Sequence, residues 1–412
     1  MFSKIINSNF FKSIIILTSG SIIAQTINVL GTPIISRIYT PEIIGTYTYI
    51  LSIAAIFMGI INGRYDVACV VDKEQNNIYP LIKLSLIIGI IVTIIGTIVC
   101  TIYFYTQQFP LQYAIYLFFI LLSYAIINVL TAYNNRCKEY KTISSVYVIR
   151  TASQNFGSIG LGAISANPHS LLVPYAIGQY LGISKQAKPL KGKWYEILKV
   201  DFSEVKRVAI EHKNQPFFSM PALLLNSLSY SLTTIFIEYL YTLETVGYYS
   251  ISVRLLGLPL AIVGGNVAKV FSERAATEYS SYGTYTKSLT RTFLFLLCIA
   301  IPMVICMIYI SEPLCVFFLG KDWATAGQYI AILAPMFGIR LITSALSPAL
   351  IIAKKQKAEL VLQSLFIISG VTGFIMTKTY NYDIVFFLKY IMITYSISYL
   401  IYLYIIYKNR KV

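Results

Sequence analysis

Apolar runs of about 20 residues recur along this chain, each long enough to cross the hydrocarbon core of a bilayer as a helix. They fall at 13–35, 43–63, 83–105, 113–133, 142–165 and 170–184, the last of these short and containing Pro174. After a polar gap they resume at 216–240, 245–268, 288–310, 327–352, 358–377 and 384–406. The pattern predicts an all-α polytopic membrane protein of about twelve spans: a six-helix lobe over 1–184, a linker over 185–215 and a second six-helix lobe over 216–412. An even number of spans places both termini on one side.

Lysine and arginine choose that side. With both ends cytoplasmic, the loops on that face collect Lys4, Lys12, Arg64, Lys73, Arg136, Lys138, the Lys-rich segment 185–213, Lys269, Arg274, Lys354, Lys355, Lys408 and Lys411. The opposite loops hold only Arg37, Lys321 and Lys378. This positive-inside bias supports the span count as well as the orientation. Within the linker, KGKWYEILKVDFSEVKRVAIEHK sets Trp194, Ile197, Leu198, Phe202, Val205 and Ala209 on one helical stripe with Lys and Glu opposite. That suits an amphipathic helix on the cytoplasmic leaflet, with a solvated linker helix as the plainer alternative.

Composition narrows the class. A chain that is 57% hydrophobic and 12% charged is not a soluble domain. The net charge of +16 is distributed between apolar runs rather than over one folded face, so it does not point to nucleic acid. Six cysteines show no CxxC spacing and read as buried thiols. The two histidines, His169 and His212, lie in loops without a partner pattern, so no His-based metal centre and no cofactor are expected. The first apolar run lacks a small-residue cleavage site and reads as a span rather than a cleaved signal.

One short pattern is written twice. Tyr39 to Tyr47 reads YTPEIIGTY and, 202 positions later, Tyr241 to Tyr249 reads YTLETVGYY. Both copies fall between the first and second spans of a half. Thr242 is placed to cap the incoming helix, and Pro41 and Glu42 suit a helix start. A tight helical hairpin would account for the letters, but the correspondence extends further at the same offset. The first span carries Thr18, Ser21, Gln25, Asn28, Thr32 and Ser36 at helical spacing, answered in the seventh by Ser227, Tyr230, Thr234 and Glu238. The second carries Thr48, Ser52, Gly59, Asn62 and Asp66, answered by Ser250 and Arg254. The chain reads as a duplication whose halves enter the membrane the same way. Polar stripes on spans face protein or water, and a hydrated cavity between the halves explains whole stripes better than helix-helix contacts do.

Charges within the spans sharpen the expectation. Arg254 lies about 13 Å along its helix at 1.5 Å per residue, too deep for easy snorkelling. Arg150 shares a face with Tyr147, Gln154 and Ser158. With Arg340, and with Arg64 and Arg37 at the ends of the leading hairpin, they define a cationic chamber suited to phosphate oxygens. Its polar lining would come from Gln25, Asn28, Thr32, Ser52, Asn62, Ser227 and Thr234. Asp66 and Glu238 are the acidic candidates, either for ion coupling or for pairing with these arginines. Lys389, nearer a helix end, reads as a snorkelling or paired residue. Internal prolines, among them Pro259, Pro302 and Pro335, suit helices that bend between conformations.

Residues Ile35 to Val71, with Ser36, Arg37, Tyr39, Thr40, Pro41, Glu42, Gly45 and Tyr47 followed by Gly63, Arg64, Tyr65 and Asp66, resemble the Wzx-type oligosaccharide flippases of the MATE-like superfamily. The stretch from Val246 to Phe271 is similar to the same family. Asp66 stands where those proteins more often carry Glu, and Val71-Asp72 where they usually carry Leu-Pro. The resemblance implies a transporter, not an enzyme, that flips a polyprenyl-pyrophosphate-linked oligosaccharide across the bacterial inner membrane for O-antigen, lipopolysaccharide or capsule synthesis. Its partners would be that lipid-linked sugar, the bilayer and, beyond them, other polysaccharide assembly proteins, with no nucleic acid. The rivals are a flippase for a lipid-linked peptidoglycan precursor, a cation-coupled exporter, and a membrane polymerase or acyltransferase. The exporter would need carboxylates in its chamber, and the enzymes a large outer loop or a His/carboxylate constellation. The longest outer loop expected here is about 311–326.

Overall fold

The computed structural model describes residues 9–353, 355 and 357–410. Lys4, Lys354, Lys411 and both chain ends lie outside the described residues, as do the side chains of Lys12 and Thr18. Every extended element among those described is a helix. Among the described residues, nine helical stretches are long and apolar enough to cross a membrane. The chain divides into two compact units, one of Met1–Tyr39 and Ile50–Ser227, the other of Thr40–Tyr49 and Leu228–Val412.

In the first unit, α1 (Asn9–Ile38) packs along α6 (Tyr140–Ile164), and α4 (Ile78–Thr106) along α5 (Gln112–Arg136). A short α7 (His169–Tyr180) lies against both α5 and α6. Helices α6 and α7 fill two expected spans but are not among the nine. The first carries polar residues along its length, and α7, with Pro174 inside it, has 12 residues, or about 18 Å of rise. The second expected span is present but ends early. Helix α2 (Pro41–Met58) stops, and the chain turns through Gly63 at φ 59° and Arg64 at φ 65° before α3 (Tyr65–Val71). Two consecutive left-handed residues cannot continue a right-handed helix. Asn62 anchors the turn, its amide donating to the carbonyls of Ser85 (3.0 Å) and Ala125 (2.9 Å).

The linker stretch is held on the first unit. Helices α8 (Trp194–Lys199) and α9 (Phe202–Glu211) are separated by Val200 and Asp201, whose side chain accepts from the Ser203 amide at 3.1 Å. Ile197, Val205 and Val208 bury into a core with Ile78, Leu81 and Tyr133, while Leu198 and Phe202 remain 71% exposed. Lys83 donates to the carbonyls of Leu198 (2.8 Å) and Val200 (2.7 Å), closing the end of α8 as a basic residue should. His212 has a partner after all. Its Nε2 lies 2.9 Å from Asp72 Oδ2, which also accepts from Asn77 (2.9 Å), and Arg207 donates to Asn77 Oδ1 (2.8 Å). The partner stands 140 positions away in sequence, so no local spacing announces it. His169 similarly sits 3.0 Å from the Tyr116 hydroxyl.

The second unit is centred on α14 (Ala324–Leu346). It packs against α11 (Leu243–Pro259), α13 (Thr286–Leu319) and α16 (Ile384–Lys408), with α15 (Lys357–Tyr380) beside α16. The most apolar window of the α14 stretch is 61% buried, against 11% for α13, so α13 turns most of its surface outward. That accounts for a departure from expectation. Cys69, Cys100 and Cys315 are buried thiols, but Cys298 and Cys306 on α13, and Cys137 after α5, are exposed. An apolar residue on a span can face lipid instead of protein. Helix α13 also runs past the expected loop start at 311, through Pro313 to Leu319. Ser311 donates to the Gly327 carbonyl at 2.7 Å, and a Cβ at Gly327 would strike the α13 backbone at Glu312. After Pro259 a π-helical turn, Leu260–Gly264, carries α11 into α12 (Gly265–Tyr282).

The duplicated hairpin packs on its own copy inside this unit. A Cβ at Gly45 would collide with the Leu243 carbonyl, and a Cβ at Gly247 with the Pro41 carbonyl. Pro41 and Leu243 are 202 positions apart, as are Gly45 and Gly247, so the contact is reciprocal. Thr242 caps α11, its hydroxyl accepting from the Thr245 amide at 3.2 Å.

Candidate functional site

Three helices of the first unit turn polar faces to one space, a cavity of about 610 Å³. Helix α5 contributes Tyr124, Asn128, Thr131 and Asn135; α6 contributes Tyr147, Arg150 and Gln154; α7 contributes Tyr175 and Gln179. Thr151 of α6, Asn28 of α1, Asp66 of α3 and Gln186 complete its polar wall. The sequence therefore places three of its expected site residues, Arg150, Asn28 and Asp66, around one cavity.

Arg150 is almost fully buried, and its guanidinium is committed. Nε donates to the Leu181 carbonyl (3.1 Å), at the C-terminal end of α7, and Nη2 donates to Gln186 Oε1 (3.0 Å). A cation at a helix C-terminus is favoured by the helix dipole. Gln186 in turn donates to Thr131 Oγ1 at 3.3 Å, and the Tyr124 and Tyr175 hydroxyls lie 3.1 Å apart. Asn28 Oδ1 accepts from Asn155 at 2.9 Å. Arg64 is half-buried and within electrostatic reach of Asp66. Arg37 is exposed in the last turn of α1. Thr32 is buried and donates to the Asn28 carbonyl at 2.6 Å. Gln25 and Ser52 are half-buried, and the Ser227 hydroxyl lies beside Gly59.

The residues that sequence reasoning passed over are those of α5 and α7. Their signal was present: Tyr124, Asn128, Thr131 and Asn135 recur at intervals of four, three and four, and Tyr175 and Gln179 at four. This is the helical spacing that drew attention to α1.

In the second unit Arg340, on α14, stacks its guanidinium over the Tyr230 ring at 4.9 Å and over Phe337 at 5.3 Å. Tyr399 and Tyr249 lie within its electrostatic reach. Tyr395 lies tilted against Phe366, ring centroids 4.5 Å apart, and sits 3.3 Å from the Thr233 hydroxyl, giving the arginine an aromatic, hydroxyl-rich wall. Arg254, on α11, presents exposed surface and lies near Tyr47. On α10 (Met220–Leu240) Thr234 is buried, and Glu238 accepts from the Tyr49 hydroxyl. Arginine held over tyrosine keeps its charge and its planar fork, the geometry that meets phosphate oxygens two at a time.

Such helices, long, apolar and with polar residues buried along their length, define a polytopic membrane protein, and solved structures share the fold. The chain is similar to Lipid II flippase MurJ in an inward closed conformation, with 14% identity and a TM-score of 0.69 over 95% of this chain and 87% of that one. It is similar to an outward-facing multidrug resistance MATE family transporter of the MOP superfamily, with 14% identity and a TM-score of 0.60 over 97% of each chain. A MOP superfamily transporter from Pyrococcus furiosus matches with 13% identity and a TM-score of 0.58, again over 97% of each. Identities at this level speak to the fold alone. No curated protein sequence matches the chain. Residues 72–328 match the family described as polysaccharide biosynthesis protein, and the chain belongs to that family.

Proposed function

We propose that this protein flips a polyprenyl-pyrophosphate-linked oligosaccharide from the cytoplasmic to the outer leaflet of the bacterial inner membrane, by alternating access, for O-antigen, lipopolysaccharide or capsule synthesis. The observation that carries the reading is membership of a polysaccharide biosynthesis family by a chain with a transporter fold. Guanidinium groups on spanning helices, Arg254 and Arg340 first among them, support a site for the diphosphate. Arg150, Arg64 and Arg37 add positive charge. Asp66 and Glu238 are the candidates for ion coupling. Both termini face the cytoplasm, and exposed Tyr195, Leu198 and Phe202 of the linker rest on that leaflet. Other polysaccharide assembly proteins are further partners.

The test is depletion of the protein followed by lipid extraction. Undecaprenyl-linked oligosaccharide accumulates on the cytoplasmic face under this reading; normal surface polysaccharide with no accumulation would overturn it. Arg340→Lys and Arg254→Ala are expected to reduce export at least about tenfold, since Lys reproduces neither the stacking nor the bidentate fork. Likeness in fold to a lipid II flippase keeps a peptidoglycan precursor as the second reading. The identity of the lipid that accumulates separates the two.

A further inference from the structure

The cavity of the first unit has chemistry that a diphosphate does not use. A site for a bare anion concentrates positive charge, yet Arg150 spends Nε and Nη2 on Leu181 and Gln186, and Asp66 stands in the same wall. A site for a dehydrated cation such as calcium gathers oxygens to within about 2.6 Å of one point. This space measures about 610 Å³, within the roughly 300–1,000 Å³ typical of pockets for organic ligands.

What the wall supplies in quantity is the neutral carboxamide, a donor and an acceptor on one planar group, set beside tyrosine rings. A sugar presents the complementary surface: hydroxyls that each donate and accept, and an apolar C–H face that lies against an aromatic ring. Most of the lining carboxamides already serve the protein. Among the described residues, the side chains of Gln154, Asn135 and Tyr147 make no hydrogen bond to protein, and all three line the cavity with accessible surface.

We infer that this cavity is a saccharide subsite, in which Gln154 and Asn135 bond sugar hydroxyls and Tyr147 lies beside the ring. The inference rests on the reading that the cargo is a lipid-linked oligosaccharide, and it assigns where the sugar is recognised. Asp66 extends the polar wall toward α3, where a carboxylate accepts from a pair of hydroxyls. Specificity for one oligosaccharide over another would then sit in α5 and α6, apart from the arginines of the second unit.

The test uses the full-length protein in nanodiscs, titrated with two lipids and read by native mass spectrometry. One is undecaprenyl diphosphate; the other is the lipid-linked oligosaccharide fraction from cells depleted of this protein. The Gln154→Ala/Asn135→Ala double variant should bind the glycolipid about tenfold or more weakly, as expected for two lost neutral hydrogen bonds. Its affinity for undecaprenyl diphosphate should stay within about twofold of wild type, less than one such bond is worth. Equal loss for both lipids, or loss for neither, overturns the subsite while leaving the functional reading intact. A wild-type protein that binds neither lipid overturns the functional reading itself. If sodium chloride stabilises the wild type but not the variant, with glycolipid affinity unchanged, the cavity is a cation site and the inference falls. Should the double variant melt early, Asn135→Ser at its exposed position carries the same test.

Discussion

Asp72 shows how one loop residue couples distant parts of the chain. Burial alone would raise its pKa, but hydrogen bonds from Asn77, from the Glu74 amide and from His212 outweigh that and hold the carboxyl below its usual range. A depressed folded-state pKa means that ionised Asp72 stabilises the fold above the unfolded value of about 3.9, and that this contribution is lost as pH falls through the lower, folded value. The groups around it are His212, Arg207, Glu211 and Arg136, whose Nη1 donates to the Cys69 carbonyl at 3.1 Å. Asp72, Glu211 and His212 place ligand atoms within 4.8 Å of one another, but their hydrogen bonds to Asn77 and Arg207 read as a latch on α9. Asp72→Asn should therefore melt earlier than wild type at pH 7, with the gap closing below about pH 4; melting curves at both pH values check this. None of it was legible in the sequence, since the latch joins residues more than a hundred positions apart. Arg150 was partly legible: its polar face marked the cavity, but its commitment to Leu181 depends on where α7 ends.

At the scale of elements, hydrophobic periodicity located the helices well because it reports burial and lipid exposure directly. It misplaced ends where a single residue decides them. The second span ends at Met58, ahead of the left-handed Gly63 and Arg64, and Pro313 does not break α13 because Ser311 and Gly327 hold it against α14. The polar stripe of α5 was as regular as that of α1 and was legible at the same helical spacing. The repeated nine letters were legible as a hairpin, whereas their reason, a reciprocal contact between the copies, appears only in the fold. Gly45→Ala and Gly247→Ala each drive a methyl into a backbone carbonyl that cannot rotate away. Each should destabilise the protein by about 1–3 kcal/mol or more. Gly257→Ala, where a Cβ meets nothing within 4 Å, should leave the melting temperature nearly unchanged or slightly raised. Thermal unfolding of the three variants side by side checks the set.

For the whole molecule, exposed apolar surface is a statement about solvent. Ile301, Ile305, Phe317 and Phe318 of α13 are each more than half exposed, which a water-soluble protein would hide. The cysteines offer a direct measurement. Cys137 should react with a water-soluble maleimide in inside-out vesicles and not in right-side-out ones, while Cys298 and Cys306 should resist it in both until the membrane is dissolved. Labelling of Cys137 from the outer face would reverse the orientation read from Lys and Arg.

The mutual fit of Gly45 and Gly247 has a consequence for descent. Each glycine leaves room for the opening turn of the other hairpin, so neither copy of the nine letters can drift on its own. An enlargement in one demands a retreat of the backbone in the other, and substitutions there should persist only in pairs. The two copies are thus bound to one another at the spot where their letters agree.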